Sequence, residues 1–134
     1  MGGMERKHDL DRTRSADQAQ GQRERDAQDR LMELGADRLE PRPWRPGPVP
    51  PTAVDLTQYA LWRSADLTRD DLLSALALLP AARAEVEGVE IGLLFAARNE
   101  GLTWTQIAEA MGFHSPQACQ QYVTRLSARQ DKRT

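Results

Sequence analysis

The chain has 134 residues, a net charge of −2 and 28% charged side chains, enough for one small domain and no more. Two histidines and a single cysteine, Cys119, exclude a disulfide framework and argue against a structural zinc site. No run approaches the roughly twenty apolar residues of a membrane span and no signal-peptide core follows the N-terminus, so a soluble, cytoplasmic protein is expected.

Residues 1 to 40 are rich in Arg, Asp, Glu and Gln, with few large apolar side chains beyond Leu10, Leu31, Met32, Leu34 and Leu39. Alternating charges in "RERDAQDR" could support a fluctuating, solvated helix, but so little surface can be buried that a disordered arm is expected. Residues 41 to 51, "PRPWRPGPVPP", hold six of the eight prolines and read as an extended linker. Trp44 in it could stack on a partner, although a lone linker tryptophan is weak grounds for a site.

A helical domain is expected over 52–130. Thr52 and Asp55 signal a helix start before "AVDLTQYALWR", with Leu56, Tyr59 and Ala60 on one face. Thr68 and Asp71 repeat the signal, and Leu72, Leu76 and Leu79 fall on one stripe. Pro80 permits another start, opening a long helix in which Val86, Val89, Leu93 and Ala97 form one face, widened by Ile91, Leu94 and Phe95. Gly88 and Gly92 inside it each cost about 1 kcal/mol relative to alanine, so they weaken the helix or mark close contacts. Gly101 stops it. No β-alternation occurs, and the fold class is all-α.

The stretch "GLTWTQIAEAMGFHSPQACQQYVTRL", residues 101 to 126, carries the function. Thr103 and Gln106 form a capping-box pattern, and Trp104, Ile107, Ala108 and Met111 give a two-turn helix with one apolar face. Gly112 ends it, Phe113 returns to the core, and Ser115 and Pro116 start the next helix. Two short helices around a tight glycine turn make a helix-turn-helix at 103–127. On a wheel that advances 100° per residue from Pro116, Ala118, Cys119, Tyr122, Val123 and Leu126 fill a sector of roughly 200° to 340°. Gln117, Gln120, Gln121 and Thr124 cluster at roughly 40° to 140°, with Arg125 at their flank. Glutamine can pair with adenine N6 and N7 and threonine can meet a base edge or the thymine methyl, while Arg125 suits a phosphate. For any one glutamine a solvated face is the better explanation; four uncharged hydrogen-bonding residues in this frame point to DNA. Cys119 reads as a small core residue and His114 as an ordinary turn residue.

"LLPAARAEVEGVEIGLLFAARNEGLTWTQIAEAMGFHSPQACQQYVTRLSAR" resembles the small helix-turn-helix DNA-binding proteins of actinobacteria, and its frame is similar to sigma-factor region 4. The resemblance covers about residues 68 to 129. Gly101, Trp104, Ile107, Ala108 and Gly112 match its structural frame, and Ser115, Gln117, Gln120 and Gln121 its recognition segment. Positions 120 and 121 are glutamine where relatives often carry arginine, which implies lower phosphate affinity.

The expected function is therefore a sequence-reading DNA-binding protein acting in transcription regulation, with recognition helix 116–127 in the major groove. The site is Thr103, Thr105, Ser115, Gln117, Gln120, Gln121, Thr124 and Arg125, the two threonines of the first helix lying against the backbone. The acidic balance keeps an alternative open, a helical interaction module for RNA polymerase, a sigma factor or another regulator. Against it, Arg125, Arg129, Lys132 and Arg133 collect at the C-terminal end, where 110 to 134 hold one acid, Asp131. Double-stranded DNA is the expected partner, with self-association to a homodimer left open. No phosphate loop, metal-spaced cluster or nucleophile–base pair is present, so neither enzyme activity nor a cofactor or metal is expected.

Overall fold

The computed structural model describes residues 2–44, 47 and 49–133; Met1, part of the expected linker (Arg45, Pro46 and Pro48) and Thr134 lie outside. Among the described residues the fold is all-α, with α1 (Gly2–Glu33), α2 (Ala53–Trp62), α3 (Arg69–Ala77), α4 (Leu79–Asn99), α5 (Trp104–Met111) and α6 (Pro116–Arg133). None of these helices is long and apolar enough to cross a membrane. Where the sequence suggests one domain, the chain divides into two compact units, Met1–Ala82 and Arg83–Thr134.

In the first unit the expected disordered arm is replaced by helix. Polar pairs one turn apart, Gln20 with Glu24 and Gln22 with Asp26, support α1 along its exposed length. Its C-terminal turns do more. Ala27 and Leu31 are buried in one cluster with Ala36, Leu56, Tyr59, Ala60 and Leu78. The segment has few apolar residues, but they fall where α2 and α3 need them. Polar contacts complete the seam: Arg30 donates to Asp71 at 2.8 Å and Gln20 to the Ala77 carbonyl at 3.1 Å. Past α1 the chain turns at Gly35, φ 123°, where a Cβ would lie 2.7 Å from the Tyr59 hydroxyl. That hydroxyl donates to the Leu34 carbonyl at 2.8 Å, so the glycine makes room for a hydrogen bond that pins the turn.

The caps form as the sequence predicts. Thr52 with Asp55 and Thr68 with Asp71 each make a reciprocal capping box, and Leu56, Tyr59 and Ala60 are the buried face of α2. The leucine stripe of α3 differs from expectation. Leu72 and Leu76 are exposed and, with Leu61, border an open apolar groove of about 530 Å³. Asp71, Ala75 and Leu78 instead face the core, because α1 occupies that side.

The second unit has its own core of Leu94, Ile107, Ala108, Cys119 and Leu126, with Ile91, Ala97, Trp104, Phe113, Tyr122 and Val123 around it. Both of its turns are glycine-closed. Gly101 has φ 85°, and bonds run from the Gly101 amide to the Arg98 carbonyl and from Leu102 to Ala97. Gly112, φ 80°, repeats the pattern, with Gly112 bonding to Glu109 and Phe113 to Ala108. These paired bonds are the Schellman arrangement, which satisfies helix-end carbonyls with a left-handed residue.

The expected apolar face of α4 is only half right. Ile91, Leu94 and Ala97 enter the core; Val86, Val89, Leu93 and Phe95 are exposed. The reason is visible on the inner side. Glu90 accepts a hydrogen bond from the Tyr122 hydroxyl and Glu87 pairs with Arg129 at 3.7 Å, which fixes the rotation of α4 against α6.

Candidate nucleic-acid interface

The site begins at the α5 cap. The Thr103 hydroxyl oxygen accepts from the Gln106 amide at 3.1 Å, and the Gln106 side-chain carbonyl accepts from the Thr103 amide at 2.9 Å. Arg98 closes the loop behind it, donating to the Leu102 carbonyl at 2.9 Å while its guanidinium lies 5.0 Å from the Trp104 ring centre. Ile107 and Ala108 face inward, leaving Thr105 outward and exposed.

At the start of α6, Ser115 is half-buried and its hydroxyl oxygen accepts from the Ala118 amide at 3.1 Å, a cap bond ahead of Pro116. From there the two faces of α6 divide as the wheel indicates. Cys119 and Leu126 are fully buried, with Ala118, Tyr122 and Val123 partly covered. Phe113 packs on Tyr122 with ring centres 5.2 Å apart. Burial pushes the Cys119 thiol above its ordinary range, and the Tyr122 hydroxyl is raised chiefly by its hydrogen bond to Glu90.

Gln117, Gln120, Gln121, Thr124 and Arg125 are all exposed. Gln120 and Thr124 share a shallow depression of about 610 Å³ with Trp104, Val123, Ser127, Ala128 and, at its far end, the acidic Asp131. The Thr124 hydroxyl donates to the Gln120 carbonyl at 2.9 Å, so its proton is engaged within the helix and its methyl is left for contact. The chain matches no known protein family, no curated protein and no solved structure. The functional reading therefore stands on this geometry alone.

The eight residues expected to form the site separate into two kinds. The oxygens of Thr103 and Ser115 are engaged in helix caps, and these residues position the other elements. Thr105, Gln117, Gln120, Gln121, Thr124 and Arg125 present side chains outward. Sequence reading passed over the depression beside Trp104, because nothing in the spacing of residues 104 and 120 brings them together before the helices pack.

Proposed function

We propose that α5 and α6 act as a helix-turn-helix that reads duplex DNA, making the protein a transcriptional regulator. The observation that carries the reading is the outer face of α6. Gln117, Gln120, Gln121 and Thr124 are exposed and uncharged, opposite a seam anchored by Cys119 and Leu126. A helix packed on one side through Cys119 and Leu126 can enter the major groove, about 12 Å wide, and offer glutamine amides to adenine N6 and N7. Arg125 at the flank is placed for a phosphate, and Thr105 for the backbone near the first helix.

Single replacement of Gln117, Gln120 or Gln121 by alanine should leave folding intact, because each is exposed and alanine is an equal or better helix former. Against sites selected from a random DNA pool, each glutamine that reads a base should lose about 1–3 kcal/mol of discrimination at one position when replaced. Arg125→Ala should instead weaken binding to every sequence and reduce the salt slope by about one unit. Folded glutamine variants that bind all DNA as the parent does would overturn the assignment and favour a protein-interaction module.

A further inference from the structure

The uncharged outer face of α6 has positive charge along both of its edges. On the wheel that starts at Pro116, Gln117, Gln120, Gln121 and Thr124 span roughly 40° to 140°. Arg125 and Lys132, both exposed, lie on one edge at roughly 180° and 160°. Val123 and Ser127 mark the other edge, at roughly 340° and 20°. There α5 comes alongside, because Trp104 borders the same depression as Gln120, Val123 and Ser127. The guanidinium of Arg98 lies over the Trp104 ring, 5.0 Å from its centre.

Arg98 is exposed, yet it is held in place. One N–H donates to the Leu102 carbonyl at 2.9 Å, and the ring steadies the guanidinium. Arg30, Arg63 and Arg129 each pair with an acid, whereas no carboxylate pairs with Arg98 among the described residues. A guanidinium has five N–H donors, and the bond to Leu102 needs only one of them. A cation pinned in this way gives up little further side-chain freedom when an anion arrives from outside.

We infer, on the reading that α6 lies in the major groove, that Arg98 contacts a phosphate of the strand opposite to the one Arg125 meets. A helix with its side chains is about 10–12 Å across and the groove about 12 Å wide, so a helix in it has a sugar-phosphate backbone along each edge. Arg125 and Lys132 serve one backbone; Arg98, held on Trp104, serves the other. Asp131 sets the limit on that second edge. It closes the far end of the depression, roughly 16 Å along α6 from Gln120. A phosphate there would meet a carboxylate, so the second strand crosses at the Trp104 end. All of these groups belong to the second unit.

Salt-dependent binding of the full chain to a duplex selected from a random DNA pool tests the contact. Arg98→Gln removes the charge and keeps an N–H donor for Leu102, so it should stay folded by circular dichroism and melting. It should weaken binding to every sequence and lower the salt slope by about one unit, as Arg125→Ala does. Arg98→Lys should restore the slope, because the slope follows the charge and not the loop geometry. Methylphosphonate linkages, which carry no charge, then assign the strands. Neutral linkages in one strand should abolish the difference between the parent and Arg98→Gln, and those in the other strand the difference between the parent and Arg125→Ala. An Arg98→Gln slope equal to the parent's, beside a lowered one for Arg125→Ala, would overturn the second contact and leave α6 as a reader. One strand answering for both variants would overturn the placement on opposite edges. A parent that binds no duplex would remove the groove reading and this contact together.

Discussion

At Asp71 two local demands meet in one side chain. Its carboxylate accepts from the Thr68 amide at 3.3 Å, closing the cap of α3, and also takes hydrogen bonds from Arg30 of α1 at 2.8 and 3.5 Å. The Arg30 hydrogen bond is the main cause holding the carboxyl below the ordinary aspartate range; burial opposes it and Thr68 adds to it. A depressed folded-state pKa means that the contribution to stability is present at neutral pH and is lost as pH falls through that depressed value. Asp71→Asn should therefore melt below the parent at neutral pH, with the difference closing as the medium is acidified below about pH 4. A constant difference across that range would show that the charge plays no part. Gly112 poses a cleaner conformational case. Its φ is 80°, yet a Cβ there would touch nothing within 4 Å, so any penalty comes from the backbone alone. Gly112→Val should cost at least about 1 kcal/mol and Gly112→Asn distinctly less, since asparagine tolerates the left-handed region. Equal denaturation midpoints for the two variants would point to a different turn.

Among the elements, what could be read in advance was what is decided locally. The caps at Thr52, Thr68, Thr103 and Ser115 depend on residues within three positions, and all four form. The division of α6 into a buried and an open side was legible because its apolar residues make a single sector. On α4 the apolar residues surround most of the helix, and periodicity cannot say which side finds a partner. There the polar anchors decide, Glu90 with Tyr122 and Glu87 with Arg129, and such pairings between helices leave no mark on spacing. The same holds for the leucines of α3. The packing of α6 itself can be probed chemically. Cys119 is fully buried and burial raises its thiol pKa, so both the thiolate and access for a reagent are scarce. Alkylation in native buffer should therefore proceed no faster than α6 opens, and denaturant should accelerate it steeply. Rapid labelling of the folded protein would mean that the α5–α6 seam is open in solution.

For the molecule as a whole, the largest departure from the sequence reading concerns what residues 1 to 51 are for. Their composition suggests a removable arm, yet Ala27, Leu31 and Ala36 belong to the first unit's core beside Leu56, Tyr59, Ala60 and Leu78. Low average hydrophobicity misled because a few small or branched residues at the right turns suffice to close a core that α2 and α3 leave open. Deleting residues 1 to 51 would expose those remaining side chains and leave Asp71 without Arg30. Leu31 is fully buried, so Leu31→Ala should cost about 2–5 kcal/mol. The second unit draws its core from Leu94, Ile107, Ala108, Cys119 and Leu126, none of which the deletion removes. The deletion should therefore act selectively. Amide exchange should lose protection across α2 and α3 and keep it in α5 and α6. If protection in α2 and α3 survives and Leu31→Ala melts with the parent, α1 does not pack on that core, and residues 1 to 40 are the solvated arm their composition suggests.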